Sequence, residues 1–135
     1  MARNKPTTYT ALQTTSYFMP NMLVTTKATA GAVTYTVNEF LGGIILRDNA
    51  GAGRTDTTPT AAAIYNELGD PAVGSTFQLI IRNTTAGAFS TTIQGGSGVT
   101  VSGTATIAQN NTKLFIGRII SPTAVTLYSV GTFVH

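Results

Sequence analysis

The sequence contains no cysteine and only one histidine, His135, at its last position. Without cysteine there is no disulfide framework, no thiolate metal site and no cysteine nucleophile. A histidine that acts as a general base must be held by a second group, and we expect His135 to lie in a disordered end. These features exclude zinc sites, Ser-His-Asp triads and Cys-His dyads as explanations of function.

Charged residues are also scarce. They make up 10% of the sequence, against about 25% in ordinary soluble domains. Threonine is abundant, with 26 residues, and it favours strands because its side chain is branched at Cβ. This composition is typical of a robust β protein that packs against neighbours, and it is rare among cytosolic enzymes. It predicts that the protein associates with copies of itself, as a dimer or a trimer.

Long apolar runs are absent as well. No run approaches the roughly 18 residues that a membrane span needs, and the short basic start is not followed by the apolar core of a secretion signal. The 135 residues predict a single domain that can bury a substantial core. We therefore expect a soluble protein that is made in the cytoplasm.

The net charge of +3 is unevenly distributed. Residues 1–38 contain Arg3, Lys5 and Lys27 and no acidic residue, whereas acidic and basic residues balance in 39–135. A nucleic-acid-binding arm normally has a dense basic run, which these three cations do not form. They suit docking onto an acidic protein surface, where charge steers encounter and register.

Residues 1–27 are predicted to form an extended N-terminal arm, followed by a β-sandwich domain at 28–135. Pro6 and Pro20 oppose a helix through the arm, and its apolar residues are unevenly spaced. Two interpretations stay open: the arm supplies the first one or two strands of the domain, or it becomes ordered on a partner. The residues expected to dock on a partner are Arg3, Lys5, Tyr9, Tyr17, Phe18, Met19 and Lys27.

The rest of the pattern predicts an all-β fold with one short helix. Strands are predicted at 32–37, 43–47, 76–82, 89–94, 99–102, 105–108, 113–120 and 125–130. Short strands at this spacing favour a β-sandwich or a jelly roll. The apolar run at 43–47 is typical of a strand that is buried on both faces, and 49–56 is predicted to be a flexible loop.

The helix is predicted at 59–68, with Thr58 as its N-cap, Pro59 at its first position and Gly69 at its C-terminal end. Four apolar residues share one face of it by their spacing: Ala61, Ile64, Tyr65 and Leu68. The helix should therefore cover a sheet.

The remaining motifs do not predict chemistry. The glycine-containing run at 51–55 lacks the lysine and the spacing of a phosphate-binding loop. The acidic residues between 48 and 56 do not fit a calcium loop, and nothing marks any two of the five acids as a glycosidase pair. We expect no metal, no cofactor and no enzymatic activity.

Seven segments follow one another along the chain: GGIILRD at 42–48, RTD at 54–56, TPTAAAI at 58–64, VGSTF at 73–77, IIRNT at 80–84, VSGTATIAQNN at 101–111 and LYSVGT at 127–132. In that order they resemble the capsid cement, or decoration, proteins of tailed bacteriophages. The resemblance covers roughly residues 40–132. It implies a jelly-roll-like domain without enzymatic activity that lies on the capsid exterior and bridges neighbouring capsomers.

The second hypothesis is a fibre or spike domain that binds a host receptor or glycan, and a small hydrolase is a distant third. The absence of a fibrous repeat and the presence of an arm favour the cement protein. Its expected partners are the major capsid protein and copies of itself, with no nucleic acid and no membrane.

Overall fold

The computed structural model describes residues 22–135. This part of the chain is all-β, as predicted, with 48% of its residues in strands and 11% in two helices. The elements in chain order are β1 (Leu23–Ala28), α1 (Val37–Gly42), β2 (Gly43–Asp48), β3 (Arg54–Thr57), α2 (Ala61–Glu67), β4 (Thr76–Asn83), β5 (Thr91–Gln94), β6 (Val99–Ser102), β7 (Thr106–Ile107), β8 (Thr112–Ser121) and β9 (Ala124–Phe133).

The strands form two sheets that enclose one core. The large sheet has the order β1-β2-β4-β8-β9-β6, and the small sheet has the order β3-β5-β7. The pairs β1–β2, β2–β4, β9–β6 and β3–β5 are parallel, and the others are antiparallel. A jelly roll is built from antiparallel strands. The sandwich-like arrangement is therefore present, but the jelly-roll topology is not confirmed.

The core forms because alternate residues of each strand point to the same face. In β2, β4 and β8 the buried positions alternate with half-buried or exposed ones. Both sheets and both helices contribute to a single hydrophobic cluster, which includes Phe40, Ile45, Ile64, Leu79, Ile81, Ile93, Ile107, Phe115 and Ile119.

The prediction of a strand at 32–37 is wrong. Only Thr34 pairs there, with Thr57, and α1 begins at Val37. Thr36 caps this helix, since its Oγ1 accepts a hydrogen bond from the Glu39 amide at 3.2 Å. A threonine followed three residues later by a glutamate is a helix-start signal. Here it prevails over the alternating pattern that favoured a strand.

The predicted division between residues 27 and 28 falls inside β1. Six residue pairs join β1 to β2, from Leu23 opposite Gly43 to Ala28 opposite Asp48. Residues 23–27 therefore belong to the sheet, and the division has to move to the N-terminal side of residue 23. For these residues the structure agrees with the interpretation in which the segment supplies a strand.

Helix α2 confirms the predicted helix, but it begins two residues later than expected. Its N-cap is Thr60, whose Oγ1 accepts from the Ala63 amide at 3.1 Å. Thr58 is buried instead, and its Oγ1 accepts from the Gly96 amide at 2.8 Å. Gly69 follows the helix with a φ of 77°, as a C-terminal stop requires. Leu68, predicted on the buried face, is 36% exposed.

Replacing Gly117 by alanine should lower the free energy of unfolding by about 1–3 kcal/mol. A Cβ at Gly117 would lie 2.1 Å from the Phe77 ring, and that ring packs edge-on against Phe40 at 6.0 Å. The matched control is Gly131→Ala, because a Cβ there meets nothing within 4 Å. Urea denaturation of both variants tests this, and equal midpoints would contradict it.

Candidate functional site

Two polar clusters lie inside the domain, and the first is an ion pair. Arg47 and Asp56 are fully buried, with Nε 2.6 Å from Oδ2 and Nη2 3.1 Å from Oδ1. The sequence pattern had placed Asp56 in a flexible loop. That prediction is wrong because residues 54–57 form β3, which pairs with β5.

Every polar atom of this pair has an internal partner. The Arg47 guanidinium also donates to four backbone carbonyls, those of Lys27, Thr29, Gly31 and Asp48. Asp56 accepts from the Tyr35 hydroxyl at 2.8 Å and from the Val33 amide at 3.0 Å. Burial, and then the Asp56 charge, raise the pKa of Tyr35 well above its usual value. The cluster joins β1, β2, β3 and the segment between β1 and α1, so its role is structural.

The second cluster fastens the loop between β4 and β5. The Asn83 amide donates to the carbonyls of Phe89 and Ile107 at 2.8 and 2.9 Å. Asn49 donates to Thr91 Oγ1 at 3.0 Å and accepts a short hydrogen bond from the Thr85 hydroxyl. These side chains are buried and bonded to one another or to backbone. They too hold the fold together.

Of the residues predicted to dock on a partner, the structure places one. Lys27 lies in β1, and its Nζ is 2.9 Å from Glu39 Oε2. Its charge is therefore matched within the domain, in a contact that links β1 to α1. The other six lie outside the described residues: Arg3, Lys5, Tyr9, Tyr17, Phe18 and Met19. Their docking role stays a prediction.

The outer face of the large sheet is apolar, although it faces away from the core. One row of residues crosses five strands in register: Val24, Ile44, Ile80, Leu114 and Gly131. Five other apolar side chains lie on this face: Leu46, Ile116, Ile120, Tyr128 and Phe133. Val24 and Phe133 are 56% and 54% exposed. The strand at 43–47 was predicted to be buried on both faces, but its outer residues are only half-buried.

A groove of about 290 Å³ lies on this outer face. Its walls come from β4, β8 and the C-terminal residues: Gln78, Ile80, Thr112, Leu114, Phe133 and His135. The His135 Nε2 is 2.8 Å from Thr112 Oγ1. The groove is at the lower limit of small-molecule sites and has room for an apolar side chain.

Two arginines lie on the same outer face. Arg82 is opposite Thr112, which lines the groove, and Arg118 is opposite Thr76 and Thr126 towards the other end of β8. The Arg82 Nε is buried and has no hydrogen-bond acceptor among residues 22–135. The outer face is therefore largely apolar, with Asp48 at the end of β2 and two arginines, Arg82 and Arg118, whose rows are six positions apart along β8. We call it the sheet face.

Sequence reasoning missed the sheet face, although a signal for it exists. In β2 and β8 the outward positions also carry apolar residues, Ile44 and Leu46 in β2 and Leu114, Ile116 and Ile120 in β8. Such strands are usually covered on both sides, and within residues 22–135 one of these sides is left partly open.

Within residues 22–135, no three histidine, aspartate or glutamate side chains come together in a way that could hold a metal ion. None of the helices in this part of the chain has the length and apolar character to span a membrane.

Comparisons of the chain with protein-family models, with curated proteins and with solved structures gave no match. Its function has to be inferred from its own residues and their geometry.

Proposed function

We propose that this protein is a capsid cement protein of a tailed bacteriophage. It binds the major capsid protein on the outer surface of the virion, associates with copies of itself and stabilises contacts between capsomers. It has no enzymatic activity, needs no cofactor and binds neither nucleic acid nor membrane. It is made in the host cytoplasm and functions on the particle.

The observation that carries this proposal is the sheet face. A contiguous apolar surface on a folded domain is characteristic of a site where another protein binds. Its groove is lined mainly by Ile80, Leu114, Phe133 and neutral polar side chains, which suit an apolar side chain rather than a reacting substrate. The seven segments that resemble cement proteins support a capsid as the partner, because such domains pack between neighbouring capsomers.

The internal polar clusters support the same proposal. A catalytic group usually has a proton or a lone pair directed at its substrate. Arg47, Asp56, Asn49 and Asn83 instead direct theirs at other side chains and backbone groups inside the domain. This arrangement favours a rigid structural domain.

The N-terminal segment is the second proposed contact with the capsid. Arg3 and Lys5 carry its positive charge, and Tyr9, Tyr17 and Phe18 are aromatic residues of the kind enriched at protein interfaces. Several weak contacts of this kind, presented by one oligomer, would bind with strong avidity.

Two truncations test this proposal. Removing residues 1–21 should leave the melting temperature nearly unchanged and should abolish most of the binding to capsids. Removing residues 1–27 should also destabilise the domain, because β1 is lost together with the Lys27 carbonyl that accepts from Arg47 at 3.2 Å. Thermal melting and capsid occupancy, measured by gel densitometry of purified particles, report the two effects separately.

A protein without residues 1–21 that decorates capsids normally would show that this segment is not the attachment site. One that fails to fold would show that the segment is part of the domain. If the intact protein does not bind capsids, the cement proposal itself is wrong, and the fibre or spike domain becomes the leading alternative.

A further inference from the structure

The turn between α2 and β4 has an acidic, apolar tip. Leu68 and Val73 are 36% and 68% exposed, and the carboxylates of Glu67 and Asp70 lie beside them in the sequence, also on exposed residues. We call residues 67–73 the acidic tip. Two apolar side chains exposed next to two acids suit a contact with an apolar surface that carries positive charge.

The acidic tip is held in a defined shape. The Tyr65 hydroxyl donates a short hydrogen bond to Asp70 Oδ1. The Gly74 amide donates to the Ile119 carbonyl at 2.8 Å, which ties the end of the turn to β8. A pre-shaped contact surface loses little conformational freedom when it binds.

The sheet face is complementary to the acidic tip. It offers an apolar groove, and beside that groove is Arg82, whose buried Nε has no acceptor among residues 22–135. Arg118 adds a second positive charge on the same face, about 20 Å from Arg82 along β8. The partner of this face should therefore present apolar side chains together with carboxylates.

The acidic tip and the groove of one molecule are separate patches. The tip is anchored at Ile119, whereas the groove lies at Thr112 and Leu114, which are about 23 and 17 Å away along β8. Two patches that differ in this way can join copies head to tail, and a head-to-tail contact forms a closed ring when its rotation closes.

We propose that the acidic tip of one copy binds in the groove of the next, with Leu68 or Val73 in the groove and Glu67 facing Arg82. This inference rests on the self-association in the proposed function and names its surfaces. A symmetric contact between two sheet faces would instead put the arginines of both copies, Arg82 and Arg118, in one interface. Like charges across an interface oppose such a contact.

The test uses two variants of the full chain, each with one patch disabled. Val73→Asp disables the acidic tip, and Arg82→Glu disables the groove side. Sedimentation velocity at a series of concentrations should show that each variant alone associates at least tenfold more weakly than the unaltered protein. Ala86→Asp, at an exposed position in the loop between β4 and β5, is the control and should associate normally.

Mixing the two variants distinguishes the head-to-tail contact from a symmetric one. In an equimolar mixture, the intact tip of Arg82→Glu can bind the intact groove of Val73→Asp. The mixture should therefore form a species of two copies that grows no further. A mixture that shows no more association than the separate variants would overturn the proposal.

The remaining outcomes separate this inference from the proposed function. If the unaltered protein binds capsids but is monomeric at high concentration, the head-to-tail contact is wrong and the cement proposal stands. If the protein forms the expected oligomer but does not bind capsids, the cement proposal is wrong and the contact between copies stands.

Discussion

Replacing Asp56 by asparagine is expected to lower the free energy of unfolding by about 3–5 kcal/mol, because it leaves the buried Arg47 cation without its counter-ion. Arg47 and Asp56 are fully buried, and Asp56 Oδ2 is 2.6 Å from Nε. The asparagine side chain has nearly the same shape, so the change removes charge without opening a cavity. It also replaces one of two acceptor oxygens by a donor that points at other donors, the Val33 amide or the Tyr35 hydroxyl among them.

The matched control is Glu39→Gln, which removes the charge of the other ion pair. Lys27 and Glu39 are 24% and 20% exposed at their side chains, so water screens their attraction more than that of the fully buried pair, and we expect a loss of about 1 kcal/mol, as for ion pairs near the surface. Urea denaturation monitored by circular dichroism should show the difference between the two variants. Similar losses of less than about 1 kcal/mol for both would contradict the assigned role of the buried pair.

Replacing Gly98 by alanine is expected to lower the free energy of unfolding by about 3 kcal/mol, at the upper end of overpacking costs. A Cβ there would lie 2.3 Å from the Thr123 carbonyl oxygen and 2.9 Å from the Ala61 Cβ. The residue also has a φ of 80°, a backbone conformation that residues other than glycine rarely adopt. The turn between β5 and β6 packs here against the start of α2, so neither neighbour can move independently.

Gly51→Ala separates the two causes of this loss. Gly51 has a φ of 81°, but a Cβ there meets nothing within 4 Å, so its substitution should cost only the backbone strain of about 1–2 kcal/mol. Thermal melting of both variants should therefore show a clearly larger decrease for Gly98→Ala. Equal decreases would mean that the close approach to Thr123 and Ala61 does not constrain the fold.

The strands were predictable because their side chains alternate and glycine-rich turns separate them. Residues 99–102 match β6 at both ends, and β4 extends the predicted 76–82 by one residue. Helix α1 was not predicted because its apolar residues also fit a strand, and only Thr36 and Glu39 mark its start. The partners of Arg47 depend on how distant strands pair, which a local pattern does not contain.

The sheet face could be predicted only in part. Ile44 and Leu46 are conspicuous as apolar residues between buried positions, and they indicate a strand covered on both sides. The order of the six strands decides which strands lie beside β2. It also decides that Arg82 lies next to the groove that Leu114 lines. That order is set by pairing between strands that are far apart in the sequence rather than by any segment alone.

The most direct test of the proposed function is an image reconstruction of virions that carry this protein. The account predicts copies on the order of hundreds, at symmetry-related positions over the outer capsid surface and in contact with the major capsid protein. A reconstruction in which the protein is confined to fibres or spikes, in tens of copies, or is absent from the particle, would contradict it.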